Sequence, residues 1–156
     1  MFIFAIVMNN RLEQYEKLLS KNGLKRTAPR LRVLDILSGR DSATSQPFLE
    51  NLIGKDVDRV TLYRILKAFE EKGIIHKVLD TQGTANYAIC SHNCSTENHH
   101  DEHVHFNCNN CHRVFCLDQV QIPSIKLPDG FKTAGLNLIA TGICDGCSKK
   151  LNQSSN

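Results

Sequence analysis

The chain of 156 residues has no cysteine before Cys90, so all seven of its cysteines lie in the second half. It also lacks a secretory signal, because the apolar residues 1–8 have no basic segment before them and are too short to span a bilayer. The simpler interpretation of this apolar segment is an upstream start codon, with Met8 as the true initiator. Without export the thiols stay in a reducing cytoplasm, where they bind metal rather than form disulfides, and no membrane partner is expected.

Catalytic zinc motifs are absent as well. The chain has neither His-Glu-x-x-His nor the His-x-Glu with Pro-Cys-x-x-Cys of deaminases, and no carboxylate is placed beside an open zinc site. We therefore expect no enzyme activity, and a zinc enzyme is only a remote alternative. No internal repeat and no Pro/Gly-rich linker divides the chain.

The distribution of charge divides the chain into two halves. Residues 9–77 contain 14 Lys and Arg against 9 Asp and Glu, a net charge of +5, whereas residues 78–156 contain 5 against 7, a net charge of −2. A basic half without cysteine and a slightly acidic half with all the cysteines indicate two units with different partners.

Two Cys-x-x-Cys pairs stand in the acidic half, Cys108 with Cys111 and Cys144 with Cys147. Each pair forms a tight turn that directs both sulfurs inward, and two pairs supply the four thiolates of a tetrahedral structural zinc site. Disulfides and chance spacing are the alternatives. Just upstream, His103 and His105 alternate along a predicted strand and project from one face, which predicts a separate imidazole site.

The basic half has the pattern of a short helical cluster. Apolar stripes and capping residues predict a first helix capped by Asn10, a second after Thr27, a third capped by Ser45 with Phe48, Leu49, Leu52 and Ile53 inside, and a fourth capped by Asp58 over residues 59–71. In the fourth helix Leu62, Ile65, Leu66 and Phe69 form the buried stripe.

Two strands follow the fourth helix, at residues 74–79 and 84–89, and a turn joins them. Helices followed by a β-hairpin predict a winged helix-turn-helix, whose last helix enters the major groove of DNA. Arg59, Tyr63 and Lys67 share one face of that helix, with Arg64 beside them. Basic side chains there can contact phosphates and guanine edges, and Tyr63 can contact thymine methyl groups. An ordinary solvated helix face is the alternative.

Four motifs in this order resemble the ferric uptake regulator (Fur) superfamily of bacterial metal-responsive repressors: Leu24-Lys-Arg-Thr-Ala-Pro-Arg30, Arg59-Val-Thr-Leu-Tyr-Arg-Ile-Leu66, His103-Val-His-Phe-Asn-Cys-Asn-Asn-Cys111 and Cys144-Asp-Gly-Cys147. The resemblance implies an α+β chain with a winged-helix DNA-binding domain at residues 9–90, a hinge at 91–102 and a dimerisation domain at 103–150. It also implies a homodimer on palindromic double-stranded operators. The predicted DNA-contacting residues are Lys25, Arg26, Arg59, Thr61, Tyr63, Arg64 and Lys67.

Within the superfamily, His76-Lys-Val and Tyr87-Ala-Ile-Cys90 resemble the zinc uptake regulators. The resemblance implies a regulatory site of His76, Cys90, His103 and His105. Spacing supports it, because a hairpin turning near Gly83 pairs positions whose numbers sum to roughly 165 and brings His76 beside Cys90. A thiolate with imidazoles favours Zn²⁺, whereas Fe²⁺ and Mn²⁺ favour carboxylates. An iron- or peroxide-responsive repressor is the alternative.

Other potential ligands are harder to assign. Cys116 lies five residues after Cys111, where the superfamily often has a carboxylate ligand, and it either joins His100 or Asp101 in a second regulatory site or packs within a strand. A thiol redox switch of Cys90, Cys94 and Cys116 is a further alternative. Prolines interrupt residues 117–136, so only a short dimerisation helix is expected there.

Overall fold

The computed structural model describes residues 2–89, 103–133 and 136–153. The predicted α+β fold, with a winged helix-turn-helix first, is confirmed. The N-terminal part contains, in chain order, helix α1 (Phe2–Lys21), helix α2 (Ala28–Ser38), strand β1 (Thr44–Ser45), helix α3 (Gln46–Ile53), a 3₁₀ turn (Gly54–Asp56), helix α4 (Arg59–Glu71), and strands β2 (Ile75–Leu79) and β3 (Ala85–Ile89). The C-terminal part contains β4 (Val104–Cys108), β5 (Val114–Leu117), β6 (Leu138–Gly142) and helix α5 (Asp145–Gln153).

The strands form two three-stranded sheets, one antiparallel and one mixed. The wing sheet has the order β1-β3-β2, and the C-terminal sheet has the order β5-β4-β6 with β4 and β6 parallel. An isolated antiparallel bridge between Ala43 and Val114 connects the two sheets. Among the described residues, no helix is long and apolar enough to cross a membrane.

Helix α4 forms as its sequence dictates. The Asp58 carboxylate accepts a hydrogen bond of 2.9 Å from the Thr61 amide, which satisfies one of the amides that every helix start exposes. Its apolar stripe, Leu62, Ile65, Leu66 and Phe69, is buried as predicted and packs in the main core with α2, α3 and Leu19 of α1. Burial of this stripe fixes which face of α4 remains outside.

Several local predictions are wrong. Helix α1 begins at Phe2 and not at an Asn10 cap, because no Pro or Gly interrupts residues 2–10. In α3, Leu49 and Ile53 are buried, but Phe48 and Leu52 are 42% and 40% exposed. Because α3 has only eight residues, its buried face holds just the i, i+4 pair Leu49 and Ile53. The Arg40 guanidinium covers the Phe48 ring, 4.6 Å from its centroid.

Two further differences concern the C-terminal part. The polar residues after Cys147 carry no apolar stripe that would predict a helix, yet helix α5 extends from Asp145 to Gln153 and is supported by a 2.7 Å ion pair between Lys149 and Asp145, one turn apart. Between β5 and β6, the described residues 118–133 and 136–137 contain no helix, so even the short helix expected there is absent from them. Pro123 and Pro128 remove backbone donors in this stretch.

Candidate metal centres and nucleic-acid interface

The four knuckle cysteines converge on one point. Their Sγ atoms all lie within 4.8 Å of one another, and the Cys111 and Cys144 sulfurs are 3.8 Å apart. A tetrahedral Zn²⁺ with Zn–S bonds of about 2.3 Å separates its sulfurs by about 3.8 Å. All five cysteines of the described part are free thiols, so the residues fit a metal and not a pair of disulfides. We call this group, Cys108, Cys111, Cys144 and Cys147, the cysteine cluster.

The backbone around the cysteine cluster favours thiolate. The amides of Cys111 and Cys144 donate to the Cys108 sulfur at 3.5 and 3.3 Å. These hydrogen bonds lower the pKa of Cys108 to about 6. Burial, reinforced by hydrogen bonds among the neighbouring thiols, raises the pKa of Cys111 to about 12. The Cys108 thiol therefore ionises readily, whereas the Cys111 thiol does not. A bound dication would stabilise the thiolate form of both.

A second group lies where the two sheets meet. His76, His103, His105 and Cys116 each direct a ligand atom into a region in which all four atoms are within 4.8 Å of one another. His76 Nε2 is 3.2 Å from the Cys116 sulfur, and the rings of His103 and His105 have centroids 4.4 Å apart. We call these four residues the histidine cluster. Three imidazoles and one thiol match the ligand types and number that Zn²⁺ takes in proteins.

Strand register explains how the histidine cluster forms. His103 and His105 project from one face of the C-terminal sheet, and Cys116 of β5 lies directly opposite His105 of β4. From the other side, His76 of β2 pairs with Ala88 of β3, so the observed register sums to 164. The cluster therefore contains one ligand from the wing sheet and three from the C-terminal sheet.

The histidine cluster is buried and suited to bind a cation. His76, His103 and His105 are 5%, 9% and 4% exposed. Burial, followed by the charge of His103, lowers the pKa of His76 to about 4, although the Asp118 carboxylate opposes this. His76 is therefore neutral at pH 7, the form that coordinates metal. Asp118 Oδ1 lies 3.7 Å from His103 Nε2, so a carboxylate borders the cluster on this side.

The observed cluster contains three of the four predicted ligands, His76, His103 and His105. Cys116, which was grouped with His100 and Asp101, lies instead with His76, His103 and His105. Cys90, His100 and Asp101 fall outside the described residues, as does Cys94, so the predicted fourth ligand and the second site remain predictions. The signal for Cys116 was available, because antiparallel pairing across the turn of the first knuckle places residue 116 opposite residue 105.

The exposed face of α4 presents the predicted DNA-contacting side chains. Tyr63 is 55% exposed, and the side chains of Arg59 and Lys67 are 80% and 62% exposed. Arg64 is exposed beside them. Val60, which the sequence argument missed, is 58% exposed on the first turn of α4 and adds apolar surface. Spacing of three from Tyr63 was the signal that could have identified it.

Other predicted DNA-contacting residues already have partners. Thr61 is half-buried and its hydroxyl donates to Asp58 Oδ2 at 2.5 Å, so it serves the helix cap. Arg26 pairs with Glu16 at 3.2 Å, while Lys25 is exposed nearby. Arg59 pairs with Glu50 at 3.3 Å. Exposed pairs of this kind contribute only about 0.2–1 kcal/mol, so a phosphate can replace the carboxylate at little cost.

Comparison with known proteins gives a consistent result. The family model described as "Ferric uptake regulator family" matches residues 21–139. The "Ferric uptake regulation protein" of Bordetella parapertussis is 30% identical over 139 residues, covering 84% of this chain and 94% of the relative.

Solved structures share the fold. "Zinc Uptake Regulator Complexed With Zinc AND DNA" superposes with a TM-score of 0.66 at 22% identity and covers 92% of this chain and 97% of the other. The Helicobacter pylori ferric uptake regulator, described as revealing three functional metal binding sites, gives a TM-score of 0.55 at 19% identity and covers 90% of this chain and 93% of the other.

Proposed function

Because the chain belongs to the ferric uptake regulator family, whose members are metal-responsive transcription regulators and not enzymes, we propose that it is a zinc-sensing repressor that binds palindromic operator DNA as a homodimer. The observation that carries the proposal is the histidine cluster, which joins the wing sheet to the C-terminal sheet through four ligands, three imidazoles and one thiol, of types suited to Zn²⁺.

The choice of zinc rests on ligand chemistry. Zn²⁺ is borderline soft and binds imidazole and thiolate well, whereas Fe²⁺ and Mn²⁺ sites contain more carboxylate. The cluster contains a thiol and no carboxylate. A solved structure of similar fold is a zinc uptake regulator with zinc and DNA, which supports the same choice. Iron is the second candidate, because Asp118 lies 3.7 Å from His103 and the relative from Bordetella parapertussis is named for ferric uptake.

A separate structural ion is assigned to the cysteine cluster. Zn²⁺ there would neutralise the thiolates and cross-link the two ends of the C-terminal part, since Cys108 ends β4 and Cys144 precedes α5. Four thiolates leave no open coordination position for exchange or chemistry. Its role is therefore to stabilise the fold, while the histidine cluster responds to the supply of metal.

The DNA-binding surface is the exposed face of α4. Arg59, Arg64 and Lys67 are positioned to contact phosphates or guanine edges, and Tyr63 to contact thymine methyl groups. Lys25 and Arg26 lie before α2 and are assigned to the backbone of the adjacent groove. We assign the DNA-binding domain to residues 9–90 and the dimerisation domain to residues 103–150, with 91–102 as the hinge.

Exposed apolar side chains support a homodimer. Strand β6 forms one edge of the C-terminal sheet. It and its flanking segments expose apolar side chains by 38–70% of their surface: Ile125, Leu127, Phe131, Leu136, Ile139 and Ile143. An apolar sheet edge of this kind is protected in proteins by a partner. A second copy on this edge would give a dimer with two α4 helices, one for each half-site of a palindrome.

Regulation follows from where the ligands come from. His76 belongs to the wing sheet and the other three ligands to the C-terminal sheet, so only the arrangement that brings the sheets together offers all four ligands. A metal that binds this arrangement preferentially increases its population, and with it the population able to bind an operator. A repressor of this kind acts in the cytoplasm, where the DNA is.

Operator binding titrated with free metal tests the proposal. Fluorescence anisotropy of a labelled AT-rich palindrome would be measured at buffered concentrations of Zn²⁺, Fe²⁺ and Mn²⁺, with the cysteine-bound zinc retained. We expect affinity to rise at zinc concentrations far below those needed for the other metals. A preference for Fe²⁺ would overturn the zinc assignment, and metal-independent binding would overturn the regulatory role.

A further inference from the structure

Arg113 occupies a position that neither metal centre explains. It lies two residues after Cys111, and its carbonyl accepts a 3.0 Å hydrogen bond from the Cys108 amide, which closes the first knuckle of the cysteine cluster. Its side chain points away from the cluster to the loop that precedes β1. There Nε donates to Ser42 Oγ at 3.0 Å and Nη2 pairs with the Asp41 carboxylate. The guanidinium also lies 4.9 Å over the Phe115 ring.

The backbone beside Arg113 makes the same connection. The Ala43 amide donates to the Val114 carbonyl at 2.8 Å, forming the isolated bridge between the two sheets. Behind this bridge, Ala43, Val78 and Val114 are 6%, 2% and 1% exposed and form a small apolar core with Ala88. The wing sheet and the C-terminal sheet therefore touch at two places, at the histidine cluster and at this second contact.

We propose that Arg113 is a positioning residue through which the cysteine cluster supports the arrangement of the sheets that binds regulatory metal and DNA. This proposal rests on the proposed function. It adds that the cysteine cluster, assigned above only to fold stability, also affects how tightly the chain binds regulatory metal and operator DNA. Any contact made in one arrangement and not in the other changes the affinity of every ligand that prefers that arrangement. Loss of the Arg113 contact therefore weakens both metal and operator binding, although Arg113 touches neither.

A plain surface ion pair is the competing explanation. The side chains of Arg113 and Asp41 are 40% and 76% exposed, and such pairs contribute little to stability. Three features distinguish this contact from such a pair. Ser42 is only 7% exposed, the guanidinium binds two partners and covers an aromatic ring, and the contact directly flanks a buried inter-sheet hydrogen bond. A planar guanidinium suits two acceptors and an aromatic face at once, as an ammonium does not.

The test compares Arg113→Gln with Lys149→Gln. Like Arg113→Gln, Lys149→Gln removes one positive charge and one contact with a carboxylate. The carboxylate in that case, Asp145, belongs to the same helix as Lys149. Both variants would be assayed for operator affinity at saturating zinc and for zinc affinity of the histidine cluster, with bound zinc counted first. We expect Arg113→Gln to weaken both affinities by about three- to tenfold, the range of one charge-assisted contact, and Lys149→Gln to change them less than twofold.

A second variant, Asp41→Ala with Ser42→Ala, removes both side-chain acceptors of Arg113 and leaves the knuckle intact. We expect it to match Arg113→Gln, and the combined variant to be no weaker than either. If Arg113→Gln released the cysteine-bound zinc, the partner variant alone would decide: weakened binding supports the proposal and unchanged binding overturns it. Exchange of the Ala43 amide should accelerate in both variants.

The two proposals fail separately. Wild-type protein without metal-dependent operator binding would refute the proposed function. Wild-type protein with such binding, alongside Arg113→Gln and partner variants that behave like Lys149→Gln, would refute only the role of Arg113.

Discussion

Acid sensitivity of the buried His76 follows directly from its surroundings. Its pKa is about 4 in the folded chain, compared with 6.5 for a solvated imidazole. An imidazole with a lower pKa when folded binds fewer protons than the unfolded chain, so acidification favours unfolding. The loss of stability begins as the pH falls through 6.5 and is complete below about 4. Between pH 7 and pH 5 this single group should remove on the order of 2 kcal/mol.

Urea unfolding of wild-type protein and His76→Gln at pH 7, 6 and 5 measures that contribution. A chelator would keep the histidine cluster free of metal, and the cysteine-bound zinc would be counted at each pH. Because Cys108, with a pKa of about 6, also titrates in this range, the quantity of interest is the difference between the two proteins. We expect the wild type to lose about 2 kcal/mol more than the variant between pH 7 and pH 5. Equal losses would mean that His76 is not held neutral by burial.

Three other predictions concern ligands, DNA and the core. Cys116→Ser should weaken zinc binding at the histidine cluster by more than 100-fold. Asp118→Asn should weaken it by about tenfold, because outer partners of a ligand typically contribute about 10–100-fold. Isothermal titration with competing chelators measures both affinities, and equal effects would contradict the assignment of Cys116 as a ligand. Arg64→Ala should reduce the salt dependence of operator binding by about one unit of slope and leave zinc affinity unchanged, and an unchanged slope would remove Arg64 from the phosphate contacts. Phe69→Ala should cost about 3–5 kcal/mol in urea unfolding, since the side chain is 0% exposed, and a loss below about 1 kcal/mol would mean that this core can collapse around the gap.

Features determined by neighbouring residues were predictable. The caps of α3 and α4, Ser45 and Asp58, accept the hydrogen bonds expected of them. The turn near Gly83 fixed the β2–β3 register to within one position, and Gly83 has the positive φ of 81° that such a turn requires. Local rules act over a few residues, and these features depend on nothing more distant.

Features that depend on several elements at once were not predictable from local rules. The hairpin register places Cys116 opposite His105, but the approach of His76 to Cys116 depends on how the two sheets meet. The contact of Arg113 with Asp41 and Ser42 spans about half of the chain and follows from how the two sheets meet. Helix α5 was missed because a polar sequence gives no apolar stripe, and its ion pair of Asp145 with Lys149 is a weak signal.

Operator affinity of wild-type protein and His76→Ala, measured side by side across buffered free zinc, tests the central claim most directly. The claim is that an ion held between the wing sheet and the C-terminal sheet controls DNA binding. Both proteins should retain one zinc per chain at the cysteine cluster. We expect zinc to strengthen operator binding of the wild type and to leave His76→Ala at the affinity of the metal-free wild type. Full zinc dependence in His76→Ala would contradict it.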